Sequence, residues 1–112
     1  MQIQATKKLL DKLPFEKVDS TEENPLVDWH ANLLTINRRQ TVVLMNDLTR
    51  YTIVLYGVKA KDFKRFDELL KETIREVFQK ERFHPTVIDR YIEALGAVTF
   101  HKTKNRSMTA QL

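Results

Sequence analysis

Apolar residues between positions 61 and 82 repeat at the three-and-four spacing of one helix face. The residues of this stripe are Phe63, Phe66, Leu69, Leu70, Ile74, Val77 and Phe78. Side chains three and four positions apart lie on the same side of a helix, so the pattern predicts a long amphipathic helix over residues 61–82. A second stripe predicts a shorter helix over residues 86–95, between the helix-starting Pro85 and the helix-ending Gly96.

Three runs rich in β-branched and aromatic residues precede the long helix. They cover residues 29–36, 41–45 and 51–57. The two breaks between them contain turn-forming residues and are as short as hairpin loops, so we predict a three-stranded antiparallel meander. The second and third runs are apolar on both faces, which indicates strands covered on both sides or a partner that covers one side.

Shorter signals flank this central part of the chain. Residues 2–5 predict a strand, followed by a short helix over residues 7–13 that begins after Thr6 and ends at Pro14. Residues 16–28 are polar and acidic and predict a long surface loop.

The C-terminal part predicts a strand over residues 98–102, a turn at 103–105 and a last strand over 106–112. The order of elements is then β-α-β-β-β-α-α-β-β. We predict an α+β fold, in which an antiparallel sheet of about five strands has the long amphipathic helix packed on one face. The length of 112 residues fits a single domain over residues 1–112.

The composition excludes several kinds of functional site. The chain has no cysteine, which excludes disulfides and thiolate metal sites. Its two glycines exclude the usual glycine-rich nucleotide loop, and its three histidines lie at no ligand spacing, so no metal and no cofactor are predicted. No apolar run is long enough to span a bilayer, and no signal-peptide core follows the first residues, which predicts a cytoplasmic protein without a membrane partner.

The formal net charge of +4 is unevenly distributed. Residues 29–60 and residues 96–112 each carry +3, whereas residues 61–95, which contain the predicted helices, are neutral. The positive charge therefore lies on the predicted strands and turns, where it can attract phosphate. The alternative is that these lysines and arginines serve solubility and protect the sheet edges from aggregation.

Several short segments resemble a bacterial family known only as a domain of unknown function. They are Thr6-Lys7-Lys8-Leu9-Leu10, Trp29-His30-Ala31-Asn32-Leu33, Asn37-Arg38-Arg39, Tyr56-Gly57 and Thr103-Lys104-Asn105-Arg106-Ser107. The resemblance covers nearly the whole chain. It implies a compact bacterial domain that stands alone or beside plasmid-encoded proteins of mobile elements, and it implies no activity.

The basic turns favour a module that binds nucleic acid, either RNA or single strands, because phosphates need cations and unpaired bases stack on aromatic rings. The candidate binding residues are Lys7, Lys8, Arg38, Arg39, Arg50, Lys102, Lys104, Asn105 and Arg106. Arg38 and Arg39 share one predicted hairpin tip, although an ordinary polar turn would have the same composition.

Two further functions stay open. The two-sided apolar meander and the acidic loop fit a protein-interaction module, such as an antitoxin or adaptor, with a protein partner or a homodimer. A small metal-independent ribonuclease would use His30 and His101 as acid and base. The favoured alternative is that each histidine is a solvated or hydrogen-bonded strand residue, so the sequence leaves enzyme activity undecided and leans against it. Trp29, the single tryptophan, is either a core anchor or a platform for a ligand.

Overall fold

The computed structural model describes residues 1–19 and 22–103. Its elements follow in the order β1 (Gln2–Ala5), α1 (Lys7–Leu10), β2 (Trp29–Ile36), β3 (Arg39–Asn46), β4 (Thr52–Tyr56), α2 (Ala60–Phe63), α3 (Phe66–Lys80), α4 (Pro85–Leu95) and β5 (Thr99–Lys102). The predicted last strand over residues 106–112 lies outside the described residues. No helix in the described part of the chain is long and apolar enough to cross a membrane.

The five strands form one sheet in the order β4-β3-β2-β1-β5. Strands β2, β3 and β4 pair antiparallel, which confirms the predicted meander. Strand β1, however, pairs parallel with both β2 and β5, so the sheet is mixed and the prediction of a purely antiparallel sheet was wrong. Parallel neighbours need long crossover connections, and the chain supplies them through residues 6–28 and through the helical segment between β4 and β5.

Successive side chains of each strand point to opposite faces of the sheet. One face, here called the helix face, carries the main core. Its strand residues Ile3, Trp29, Leu44 and Phe100 belong to one buried apolar cluster with residues of α3. The ring of Phe66 in α3 lies 6.2 Å from that of Phe100. The α+β class and the helix packed on one face are therefore confirmed.

The opposite face of the sheet differs from strand to strand. Val43 and Met45 of β3 are buried there, as expected for a strand covered on both sides. Val54 and Tyr56 of β4 are 56% and 52% exposed. Within the described chain, β4 is therefore covered on one face only, and it forms an edge of the sheet.

The predicted helix over residues 61–82 is interrupted at Lys64 and Arg65, so it forms the short α2 and the long α3. A hydrogen-bonded cap ends α3. The amide of Arg82 donates to the carbonyl of Gln79 at 3.0 Å, and the amide of Phe83 donates to the carbonyl of Phe78 at 3.1 Å. Arg82 has a φ of 62°, the left-handed conformation that this cap requires and that glycine usually supplies.

Candidate functional site

The turn between β2 and β3 presents the two arginines that the sequence singled out. Ile36 pairs with Arg39, which leaves Asn37 and Arg38 as a two-residue turn. Both turn residues have positive φ, 50° and 63°, as the preferred hairpin turn of this length demands. Asparagine tolerates this conformation, whereas an arginine at the second position costs about 1 kcal/mol or more. The turn thus keeps Arg38 at a position where glycine would be favoured.

Arg39 lies against an exposed aromatic ring. Its guanidinium carbon is 5.9 Å from the centroid of Tyr56, which reaches this position because Tyr56 pairs with Thr41 across β3 and β4. Val54 and Ile36, on the same face, are 56% and 40% exposed. None of the described carboxylates forms an ion pair with Arg38 or Arg39. We call Arg38, Arg39 and Tyr56, with the exposed side chains of Ile36 and Val54, the turn surface.

Three other predicted cations lie at the same end of the sheet. Lys7 and Lys8 follow β1, and Lys102 ends β5; all three are exposed. Because β1, β2 and β5 are parallel, their C-terminal ends point the same way. Strand β2 nevertheless continues from Ala31 to Ile36 past the end of β1, about 16 Å at the rise of a strand, so these lysines flank the turn surface at a distance.

Arg50 lies elsewhere. It belongs to the turn between β3 and β4, at the end of the meander opposite Arg38, and its Nη1 is 4.0 Å from the sulfur of Met45. The structure therefore does not bring Arg50 together with the turn surface. Lys104, Asn105 and Arg106 lie outside the described residues.

The two candidate catalytic histidines share the face of the sheet opposite the helices. Gln4 of β1 pairs with His30 on one side and with His101 on the other. One strand therefore separates the two histidines, which places their backbones about 10 Å apart, or two strand spacings. An acid and a base that act on one phosphodiester must both reach it. The separation of the two histidines therefore supports joint acid–base catalysis less than a position on neighbouring strands would.

The hydrogen bonds of His101 indicate a structural role. Its Nδ1 lies 2.6 Å from the carbonyl oxygen of Val18, which can only accept, so Nδ1 carries the proton. Its Nε2 lies 2.7 Å from the hydroxyl of Thr99 and accepts from it. Both ring nitrogens are thus engaged, and the hydrogen bond from Nδ1 to Val18 holds the segment before residue 20 against β5.

His30 has a different arrangement. Its Nδ1 donates to the carboxylate of Asp47 at 2.6 Å, whereas its Nε2 is buried and makes no hydrogen bond. A carboxylate that orients an imidazole and leaves Nε2 available is the geometry of many general bases. His30 is only 3% exposed, however, so a substrate has little access to that nitrogen.

A pocket that sequence reasoning missed lies on the helix face, at the end of the sheet opposite the turn surface. It has a volume of about 290 Å³. Its lining consists of Leu26, Trp29, Asn46, Thr49, Tyr51, Phe78, Phe83, Val87 and Tyr91. We call it the aromatic pocket. The signal in the sequence was the ambiguity of Trp29, which is 1% exposed and also lines the pocket.

Ring contacts hold this pocket together around Phe78. Its ring centroid lies 4.9 Å from that of Phe83, 5.3 Å from that of Tyr91 and 6.0 Å from that of Tyr51. The contact between Phe78 and Phe83 also closes the cap of α3, since hydrophobic contact accompanies this type of cap. The local structure at the end of α3 therefore positions one wall of the pocket.

Both tyrosine hydroxyls of the pocket have acceptors. Tyr91 donates to the carbonyl of Leu26 at 2.7 Å, and Tyr51 donates to the carboxylate of Glu81 at 3.3 Å. Burial raises the pKa of Tyr91, Asp28 raises it further, and the nearby indole of Trp29 opposes the rise. Burial and then Glu81 raise the pKa of Tyr51. Both phenols are therefore neutral at neutral pH.

In the described part of the chain, no group of three or more histidine, cysteine, aspartate or glutamate side chains could hold a metal ion. The described residues present single charges, aromatic surfaces and one oriented imidazole.

The chain belongs to a family described as a domain of unknown function (DUF6933), whose family model matches residues 2–112. The resemblance to an uncharacterised family is thereby confirmed over nearly the whole sequence. No curated protein and no solved structure matches the chain. The description of the family names no activity.

Proposed function

We propose that the protein is a nucleic-acid-binding module that holds RNA or another single strand at the turn surface. The observation that carries the proposal is the contact between Arg39 and the exposed ring of Tyr56. Unpaired bases stack on aromatic rings and on guanidinium planes, whereas phosphates need cations. Arg38, Arg39 and Tyr56 offer both kinds of contact within one exposed surface.

The position and exposure of Arg38 support this proposal. Glycine would relieve the backbone at a φ of 63°, yet the chain carries an arginine there. Arg82 has a similar φ in the cap of α3, so what sets Arg38 apart is its place beside Arg39 and Tyr56. An exposed guanidinium with no ion-pair partner among the described carboxylates is available for a phosphate.

The remaining cations would extend the contact. Lys7, Lys8 and Lys102 lie at the same end of the sheet but about 16 Å short of the turn surface, so only a longer strand would reach them. The proposal includes Lys104, Asn105 and Arg106 on the grounds of the sequence alone. Arg50 would contact the bound nucleic acid only if that molecule were long enough to extend along the whole meander. Such a module would act in the cytoplasm, as the composition predicts.

The pair of His30 and Asp47 supports a second candidate, the small metal-independent ribonuclease. Nε2 of His30 would take the proton of a ribose 2′-hydroxyl. The burial of His30 and the two engaged nitrogens of His101 favour binding without cleavage. RNA that shortens on a gel with the wild type, and stays intact with His30→Ala, would make this candidate the stronger one.

The binding proposal is tested by replacing the two arginines of the turn together. We expect the Arg38→Ala/Arg39→Ala variant to bind a labelled single-stranded RNA about tenfold more weakly, or worse, in a fluorescence anisotropy titration. Tenfold corresponds to about 1.4 kcal/mol, less than two charge-assisted contacts contribute when well formed. A circular dichroism spectrum like that of the wild type would show that the fold persists.

The matched control is Arg82→Ala/Arg90→Ala, which removes the same net charge from two exposed arginines at the helices. We expect this control to keep most of the wild-type affinity. Equal affinity of the wild type and the Arg38→Ala/Arg39→Ala variant would remove the turn surface as the site. An equal loss in both double variants would show a diffuse charge effect instead.

A further inference from the structure

We propose that the aromatic pocket binds a neutral, flat and mostly apolar small molecule that carries one hydrogen-bond acceptor. This site is separate from the proposed nucleic-acid contact, because Trp29 begins β2 and Arg38 lies in the turn beyond the other end of that strand. The two proposals therefore stand or fall independently.

The size and walls of the pocket indicate the shape of its ligand. An apolar cavity of about 150 Å³ holds one benzene ring, so a volume of about 290 Å³ has room for one ring with substituents or for two fused rings. Five of the lining side chains are aromatic, and rings prefer to pack against other rings in offset or edge-to-face contact. A flat ring system therefore matches these walls better than a branched chain.

The rim of the pocket is unusually apolar for a surface. Leu26, Phe83 and Val87 are 49%, 42% and 56% exposed, and all three line the pocket. Clustered exposed apolar side chains mark binding sites more often than isolated ones do. A ligand that enters the pocket would remove these side chains from water.

The indole N–H of Trp29 indicates that the ligand carries a hydrogen-bond acceptor. Trp29 is 1% exposed, and its buried N–H interacts with the phenol oxygen of Tyr91 without reaching ordinary hydrogen-bond geometry. A buried donor without a well-formed hydrogen bond is destabilising, and native proteins rarely keep one without a reason. The other polar side chains of the lining are engaged: Asn46 donates to Leu26, and Tyr91 donates to the same carbonyl. An acceptor on the ligand would give this donor the well-formed hydrogen bond that the lining side chains do not supply.

The negative charges near the pocket disfavour an anionic ligand. Glu81 accepts from Tyr51 at the pocket, and Asp28 is buried beside it, where its charge is felt by Tyr91. Both carboxylates oppose a second negative charge nearby. A carboxylate ligand is therefore disfavoured, and a ketone, ester, amide or ether oxygen is the expected acceptor.

The test uses the signal of the single tryptophan. In ¹⁵N-labelled protein, Trp29 gives the only indole N–H resonance. We expect acetophenone, which carries a carbonyl beside a ring, to shift this resonance saturably. Ethylbenzene, which lacks the carbonyl, should bind about tenfold more weakly, since it offers the N–H no acceptor. Benzoate should bind more weakly than acetophenone because of Glu81 and Asp28.

Two valine-to-phenylalanine variants test where the ligand binds. Val87 and Val54 are both 56% exposed, but only Val87 lines the pocket. We expect Val87→Phe to abolish the saturable shift and Val54→Phe to leave it unchanged. Absence of a shift in the wild type, equal affinity for acetophenone and ethylbenzene, or binding that survives Val87→Phe would overturn the proposal. An indole signal that changes with protein concentration alone would assign this surface to self-association instead.

Discussion

Replacing Arg38 by glycine should stabilise the fold and weaken RNA binding at the same time. Arg38 has a φ of 63°, in the left-handed region that glycine adopts without steric conflict. It is exposed, and none of the ion pairs among the described residues involves it. The substitution therefore relieves the backbone without removing a contact that holds the described fold together.

The expected gain is small but measurable. A left-handed backbone costs a residue other than glycine about 1–2 kcal/mol, and glycine loses about 0.5–1 kcal/mol more conformational entropy on folding. The net gain is about 0.5–1 kcal/mol in the free energy of unfolding. For a chain of 112 residues, this raises the melting temperature by about 2–4 °C.

Thermal and urea unfolding followed by circular dichroism would measure the gain, beside an anisotropy titration for RNA. Arg39→Gly is the adjacent control: Arg39 lies in β3 with a negative φ, so glycine should cost about 1 kcal/mol there. Arg82→Gly is the distant control, which should stabilise without any change in RNA affinity. A loss of stability in Arg38→Gly would refute the reasoning, because it would mean that the arginine makes a stabilising contact that outweighs its backbone cost.

Two further outcomes test the site descriptions. Asp47→Ala should lower the free energy of unfolding by about 1–3 kcal/mol, because it leaves the buried Nδ1–H of His30 without an acceptor; an unchanged urea midpoint would contradict the hydrogen bond. Tyr91 has a raised pKa in the folded protein, so its contribution to stability is present below the ordinary value of 10.0 and is lost as the pH rises through the folded-state pKa. Urea unfolding between pH 9 and 11 should therefore show a steeper loss for the wild type than for Tyr91→Phe, and parallel curves would contradict the burial of the phenol.

The meander and the helices could be predicted from the sequence because local signals determine them. Two short breaks allow only hairpins between three strands, and the apolar stripe of α3 and α4 repeats at the helical period. The direction of β1 and β5 could not be predicted in the same way. The alternation of polar and apolar residues along Gln2–Ala5 is the same whether the neighbouring strand is parallel or antiparallel. The connections to the neighbouring strands are long enough to allow either direction.

The candidate sites also combine features that the local sequence predicts with features that only the folded chain shows. The arginines of the β2–β3 turn were recognisable as neighbours in the sequence, but their aromatic partner Tyr56 is set by the pairing of Thr41 with Tyr56. The aromatic pocket combines the start of β2, the end of α3 and α4, and only the packed chain brings these segments together. Trp29 shows why: a tryptophan that anchors a core and one that lines a pocket have the same signature in a sequence.

The salt dependence of RNA binding tests the central claim most directly. Anisotropy titrations of the wild type and of Arg38→Ala/Arg39→Ala with a labelled single-stranded RNA, at three salt concentrations, would give both slopes. We expect wild-type binding that weakens as salt rises, and a slope shallower by about 1.4 in the variant, since each phosphate contact contributes about 0.7 on a single strand. No wild-type binding at low salt, or identical slopes for the two proteins, would contradict the proposed contact between RNA and the turn surface.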